Sequence, residues 1–340
     1  MSGVEKKSWI SYKRHWIPVV ALGLGVAATV WWFVSPWPAA LMIRALFEKG
    51  ANDTVAEMQP YAPTSGVTAQ LGLAYGDHEN ETFDLFRPES AEGALPTVVW
   101  IHGGAWISGQ SSNVDPYARI LANEGYTTVS LNYTVAPEAV YPTAITQLND
   151  ALAYLVGHAE ELGIDADRIV IAGDSAGANL TSQLAVLTTN PSYASELGIE
   201  PALAAEQLRA VILNCGIYDV SGIPNAPGIG GWGFRIALWA YLGEKDWSNT
   251  PGAQEMSTLD YVTADFPRTW ISGGNADPLT PTQSQPLAEK LDSLGVDVTG
   301  VFYPEDHEPA LPHEYQFHLD FEDARTALQS TIDFLADVTR

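Results

Sequence analysis

Gly173-Asp174-Ser175-Ala176-Gly177 sets a serine between two glycines, directly after the apolar run Arg168-Ile169-Val170-Ile171-Ala172 and directly before a helix-like stretch at 178–189. A strand, a tight turn and a helix can lift a serine hydroxyl clear of a sheet, and the flanking glycines let neighbouring backbone come close. The chemistry such a serine can do is nucleophilic attack on a carbonyl, provided a base takes its proton and donors receive the oxyanion that develops. A second stretch supplies candidate donors. Pro96-Thr97-Val98-Val99-Trp100-Ile101 reads as a buried strand and runs into His102-Gly103-Gly104-Ala105-Trp106. Glycines after a central strand can present bare N–H groups to an oxyanion, where a side chain would block the approach.

His102-Gly103-Gly104-Ala105, the run Asn132-Tyr133-Thr134-Val135-Ala136-Pro137-Glu138, and Gly173-Asp174-Ser175-Ala176-Gly177 together resemble the hormone-sensitive-lipase-like branch of the α/β-hydrolase esterases, over roughly residues 65–340. The chain departs from the family at Thr134-Val135, where Arg-Leu is usual, and at Ala178, where Gly is frequent. The resemblance implies an α/β-hydrolase fold, ester hydrolysis through an acyl-enzyme, and an oxyanion hole built from the N–H groups of Gly103, Gly104 and Ala176. His102 then shapes the oxyanion loop.

In that fold the serine is followed along the chain by an acid and then a histidine. Arg268-Thr269-Trp270-Ile271-Ser272 reads as a strand ending in Gly273-Gly274-Asn275-Ala276-Asp277-Pro278-Leu279, so Asp277 stands on a glycine-rich turn just past a strand end. The resemblance marks it as the acid; the alternatives are an Asp277 that only caps a helix near Pro281, and Asp219 as the acid in reserve. Only His307, His313 and His318 follow the serine. Related esterases carry a Gly or Val and then an aromatic residue after the base. His313-Glu314-Tyr315 keeps the aromatic in that place, while His307-Glu308-Pro309 breaks it. His313 is therefore expected to be the base, with His307 in reserve as a loop histidine bonded to Asp306 or Glu305, and His318 structural.

The elements that must position these groups alternate along the chain. Strands are expected at 67–73, 82–86, 97–101, 127–132, 169–172, 210–214, 269–272 and 298–303, and helices at 144–162, 178–189, 283–294 and 321–336. Alternation of this kind predicts one mostly parallel, eight-stranded sheet covered on both faces, with ligands at the carboxyl ends of its strands. Residues 36–65 read as a proline-punctuated connector or cap segment with one short amphipathic helix at 41–47; residues 66–340 form the catalytic domain. Residues 217–267 read as a long irregular insert, a lid or pocket wall, and Trp232 and Phe234 within it are expected to line the substrate pocket with Trp106.

The sequence has 340 residues, a net charge of −25 and one cysteine, Cys215. That charge excludes a basic nucleic-acid face, and one cysteine excludes an internal disulfide. Cys215, at the end of an apolar run, reads as a small buried hydrophobe. No histidine pair has metal-ligand spacing, so no metal and no cofactor is expected. Lys6, Lys7, Lys13 and Arg14 form a basic tail ahead of 19 residues, 16–34, without one charged side chain. As a helix that span would be about 28 Å long, near the thickness of a hydrocarbon core. Tryptophans at both ends and the preceding positive charge predict a single-pass signal anchor over 15–35, with the catalytic domain on the extracytoplasmic side. The alternative is a secreted protein after signal cleavage. The activity expected is a serine carboxylesterase on short- to medium-chain esters. The competing functions are a deacetylase or amidase with the same triad, and a non-catalytic binding module of the same fold.

Overall fold

The computed structural model describes residues 20, 21, 25, 30–223 and 228–340. The basic tail and most of the uncharged span at 16–34 lie outside the described residues; among those described, no helix is long and apolar enough to cross a membrane. Eight strands form one sheet: β1 (Val67–Ala74), β2 (Thr82–Pro88), β3 (Leu95–Ile101), β4 (Thr127–Leu131), β5 (Ile164–Asp174), β6 (Leu208–Asn214), β7 (Arg268–Gly273) and β8 (Val298–Phe302). Their order across the sheet is β1-β2-β4-β3-β5-β6-β7-β8. β2 runs antiparallel to both its neighbours, and from β4 to β8 every pairing is parallel. All eight expected strands are present, and the sheet is mostly parallel as the alternation predicts.

Parallel strands need cover on both faces, and the side chains divide accordingly. Val99, Ile101, Ile171, Leu213 and Ile271 point to one face and pack with Leu148, Leu180 and Leu184; Val98, Trp100, Val170, Ile212 and Trp270 point to the other and pack with Tyr117, Leu121, Ala327 and Leu335. The helices that supply this cover are α2 (Asp115–Asn123), α3 (Thr143–Gly157), α5 (Ala176–Thr189) and α10 (Glu322–Val338), with α4 (Ala159–Leu162), α6 (Pro191–Leu197), α8 (Pro251–Glu255) and α9 (Gln285–Ser293) between them. The helix expected over 144–162 is divided at His158, whose backbone leaves the helical region (φ −115°, ψ 20°).

Two expectations are corrected by helices that stand outside the sheet. Residues 36–65 hold not a short helix but α1 (Trp37–Met58), 22 residues long, which begins at a proline and runs until Pro60. Residues 228–242, read as irregular because of their glycines, form α7 (Gly228–Leu242). Gly costs about 1 kcal/mol per residue in a helix, but Ala237–Tyr241 bury their side chains against the body, and α1 packs beside α7. Tertiary burial overrides the local preference.

The serine turn is set by steric limits. Ser175 sits at φ 51° and ψ −118°, a conformation non-glycine residues avoid. A Cβ on Gly177 would lie 2.0 Å from the Ile101 carbonyl oxygen, and one on Gly173 would lie 2.5 Å from the Gly177 backbone. Neither neighbour is a side chain that could rotate away. Gly177→Ala should therefore lower the melting temperature by at least about 5 °C or prevent folding, as overpacking against backbone does. Gly157→Ala, where an added Cβ meets nothing within 4 Å, should leave it unchanged or raise it slightly. Thermal melts of the two variants check this.

Candidate active site

Four strand ends and one loop bring the chemistry together. β5 delivers Ser175, whose N–H donates to Asn214 O at the end of β6 (2.9 Å). β7 delivers Asp277 through the turn 273–277. Gly274 lies so close to the chain carrying His313 that a Cβ there would be 2.2 Å from Leu311 O. Ala276 N–H donates to Leu311 O (3.0 Å), and Leu311 N–H to the Asn275 side chain (2.8 Å). These bonds dock the loop after β8 onto the turn after β7.

The docking sets a continuous relay. The Ser175 hydroxyl lies 3.0 Å from His313 Nε2, and His313 Nδ1 lies 2.7 Å from Asp277 Oδ2. Asp277 is buried, and its other oxygen accepts from Leu279 N–H (2.9 Å), so one carboxylate both shapes its turn and orients the ring. His307 stands elsewhere: its Nε2 meets Asp323 Oδ2 at 3.0 Å, rather than Asp306 or Glu305. His318 is paired with Glu57 of α1 (3.0 Å), and Asp219 accepts from Ser221 N–H. Of the three histidines after the serine, only His313 reaches both Ser175 and an acid.

The oxyanion loop needs one correction. Gly103 N–H donates to Asp174 Oδ2 (2.8 Å) and is committed there. Among the described residues the N–H groups of Gly104 and Ala105 have no acceptor, and Ala176 is the first residue of α5, where a helix leaves its N–H unpaired. Gly104 (φ 103°) and Ala105 (φ 51°) both hold left-handed backbone, which turns these two amides in succession. The amides left available in this loop and turn are thus those of Gly104, Ala105 and Ala176. Ala105 was missed because an alanine gives no sign of positive φ. His102 is buried, donates Nδ1–H to Gly103 O (2.8 Å) and stacks on Tyr133 at 4.4 Å; burial lowers its pKa to about 4, so it stays neutral and shapes the loop.

Asp174 is buried beside the serine, with Trp100 Nε1–H (2.7 Å) and Gly103 N–H as donors. Burial first, and the nearby Glu314 carboxyl second, hold its pKa well above the usual carboxylate range. Around His313, burial opposes a charged ring, although one edge of the side chain, 35% exposed, faces the cavity. Cys215, the bonded Asp277 and Glu314 outweigh burial, and the net shift is well upward. Cys215 is buried just past β6, and burial pushes its thiol up.

A cavity of about 430 Å³ opens over the serine. Its apolar wall is Leu46, Phe47, Phe234, Leu279 and Phe317, with Gly50, Ala51 and Thr54 continuing the α1 side. Phe234 lies where expected. Trp106 and Trp232 do not line it: Trp106 is fully buried, stacked 5.5 Å from Tyr241, and Trp232 packs on the core. The α1 residues were missed because the stretch 36–65 carries no motif; the small pair Gly50-Ala51 is the one local signal of a close approach.

The BD-FAE family profile matches residues 83–291, more than half of the chain. The chain belongs to the BD-FAE family. Among relatives of this BD-FAE chain, esterase LipQ of Mycobacterium tuberculosis is 28% identical over 240 residues, 69% of this chain and 55% of LipQ. An arylesterase of Saccharolobus solfataricus is 42% identical over 138 residues, 40% of this chain and 44% of that protein. The matched stretch thus spans about half the length of these curated relatives. The crystal structure of esterase B from Lactobacillus rhamnosis has a TM-score of 0.75 to this chain at 22% identity, covering 89% of this chain and 96% of that one. This shared fold is the α/β-hydrolase fold.

The relay predicts how histidine variants of this BD-FAE chain behave on a short-chain p-nitrophenyl ester. His313→Ala should lose on the order of 10⁶-fold in kcat, the scale seen when a base and nucleophile act as one unit, while His307→Ala should keep most of its activity. His313 must be unprotonated to accept the serine proton. Its pKa is raised, so kcat/KM should fall as pH drops through a value above the ~6.5 of an unperturbed imidazole. A pH–rate profile and two kcat measurements check both.

Proposed function

We propose that the chain is a serine carboxylesterase acting on short- to medium-chain carboxylic esters. The observation that carries the reading is the relay from Ser175 through His313 to buried Asp277, opening into a cavity with an apolar wall. Ser175 Oγ attacks the ester carbonyl carbon as His313 Nε2 takes its proton. Asp277 holds the ring with Nδ1–H toward its carboxylate and stabilises the imidazolium. The N–H groups of Gly104, Ala105 and Ala176 receive the oxyanion, an electrostatic effect worth about 3–4 kcal/mol per donor in a dry site. Collapse of the tetrahedral adduct breaks the ester C–O bond, and His313 returns the proton to the leaving alkoxide. Water, activated by the same imidazole, then releases the acid. The names of the relatives support the ester reading over the amidase, deacetylase and binding-module alternatives.

The test is direct. The purified chain should hydrolyse p-nitrophenyl acetate and butyrate and should be labelled by an alkyl phosphonate at one site. Ser175→Ala should abolish both while the protein stays folded by circular dichroism. Near-normal turnover in that variant would overturn the mechanism.

We also propose that residues 15–35 anchor the chain in a membrane as a single pass, with the basic tail cytoplasmic and the catalytic domain outside. The support is the uncharged run behind a basic tail, together with the apolar surface at its carboxyl end. Val30, Trp31, Phe33 and Val34 are more than half exposed, and on α1 Leu41, Met42 and Leu46 are exposed too. Arg44 is the first charged residue after Arg14, and it turns onto the protein body, where its guanidinium meets Ile107 O (2.6 Å), Ala136 O (2.7 Å) and Glu138 (2.5 Å). The full chain should pellet with membranes and resist alkaline carbonate extraction, and deletion of residues 1–35 should release active protein to the supernatant. A mature N-terminus beyond residue 35, read by sequencing, would decide for a cleaved signal instead.

A further inference from the structure

Glu314 occupies a place that its own backbone resists. It sits at φ 59° and ψ 28°, left-handed backbone in which glycine is at ease and a longer side chain is not. Core packing does not account for it, because the side chain is 33% exposed and faces the cavity over Ser175. A strained residue beside the chemistry points to function.

Among the described residues three carboxyls line that cavity, and no lysine or arginine does. Two of them are satisfied by the protein. Asp277 is bonded to His313 and Leu279, and Asp174 to Trp100 and Gly103. Glu314 Oε1 stands 3.8 Å from His313 Nε2, beyond hydrogen-bonding distance, and the one hydrogen-bonding partner of its side chain among the described residues is another carboxyl, that of Asp174. The pKa of that Asp174 carboxyl is raised by burial and by the Glu314 charge.

The position of Nε2 fixes which half of an ester Glu314 can read. In acyl transfer the bond from Ser175 Oγ to the carbonyl carbon forms, the C–O bond to the alcohol breaks, and the proton on Nε2 passes to the leaving oxygen. That oxygen must lie within hydrogen-bonding reach of the same Nε2 that stands 3.8 Å from Glu314 Oε1. The alcohol half, not the acyl half, therefore passes beside Glu314. Phe317, one turn further along the same segment, and Phe47 and Phe234 line the same cavity, so aromatic rings are among the surfaces that the alcohol meets. A carboxylate whose hydrogen-bonded neighbour is a second carboxyl, beside aromatic rings and with no lysine or arginine among the described lining residues, favours a positive charge there.

We propose that Glu314 is a specificity-determining residue that selects esters whose alcohol carries an ammonium group one or two carbons from the ester oxygen. This rests on the carboxylesterase reading, and the experiment separates the two. The probes are butyrylcholine and 3,3-dimethylbutyl butyrate, which differ in one charge and little in shape. The full chain should show a kcat/KM about tenfold or more higher on the cationic ester at low ionic strength, with the ratio shrinking as salt screens the pair. Glu314→Gln and Glu314→Gly should both bring the ratio close to one. The glycine variant also relieves the backbone, so a fault in folding cannot produce the same result in both. A wild-type ratio near one overturns the inference and leaves the esterase reading standing. A ratio that persists in both variants, with both esters slowed alike, means Glu314 serves only to buttress Asp174, and overturns it too. If the wild type hydrolyses neither ester and takes no phosphonate label, the esterase reading falls and this inference with it.

Discussion

The backbone at Ser175 is the constraint on which the site depends. A non-glycine residue at φ 51° and ψ −118° costs about 1–3 kcal/mol and persists only where its surroundings leave no alternative. Here they leave none. β5 enters the turn between β3 and β6, and α5 leaves it so close to β3 that Gly177 touches the Ile101 and His102 carbonyls. The turn is bonded on both sides, by Ser175 N–H to Asn214 O and by Asn179 N–H to Ser175 O (3.2 Å). The same crowding that forces the strain sets the hydroxyl at the carboxyl edge of the sheet, within reach of a loop arriving from β8.

Electrostatics then follow from burial. Asp174, next to the serine, is enclosed by protein and grips the oxyanion loop through Gly103 N–H, while Trp100 of β3 holds its other oxygen. The serine turn and the loop that receives the oxyanion are therefore one bonded unit. The bond that removes Gly103 from the donor set is the bond that aims Gly104 and Ala105. On the other side of the serine, His313 feels burial working against its charge and carboxylates working for it, a balance that suits the base of the proposed mechanism.

Much of this was legible in the sequence, for a physical reason. The central strands are apolar on both faces, so they stand out as runs, and Gly173, Ser175 and Gly177 appear as a motif because sterics admit little else. Asp277 and His313 were marked by chain order together with the resemblance to esterases, which carry an aromatic residue two places after the base. What was not legible depends on tertiary contact. α7 holds Gly228, Gly230, Gly231 and Gly233, a local case against a helix, and forms because Ala237–Tyr241 are buried. Trp106 looked like a pocket residue from its place after the glycines, yet the left-handed backbone at Ala105 and Trp106 turns its ring into the core against Tyr241. Nothing local distinguishes an N–H that binds an oxyanion from one committed to Asp174.

The two parts of the site are held by different means. Ser175, Asp277 and the oxyanion amides are placed by backbone and by strands that could not move without breaking the sheet. The cavity wall is not. α1 pairs with no strand and rests on the body through Ala39, Ala40 and Ile43, through Arg44 on the carbonyls of Ile107 and Ala136, and through Glu57 on His318. Arg44 meets Ile107, two residues beyond Ala105, and His318 lies five residues beyond His313, so two of the polar ties of α1 end on the segments that carry the free amides and the relay histidine, while Arg44 also holds Ala136 and Glu138. The helix that shapes the cavity is thus registered to the chemistry by side chains alone. Substitutions in α1 can reshape what the pocket accepts without disturbing the sheet, whereas substitutions at the turn cannot alter the chemistry without disturbing the fold.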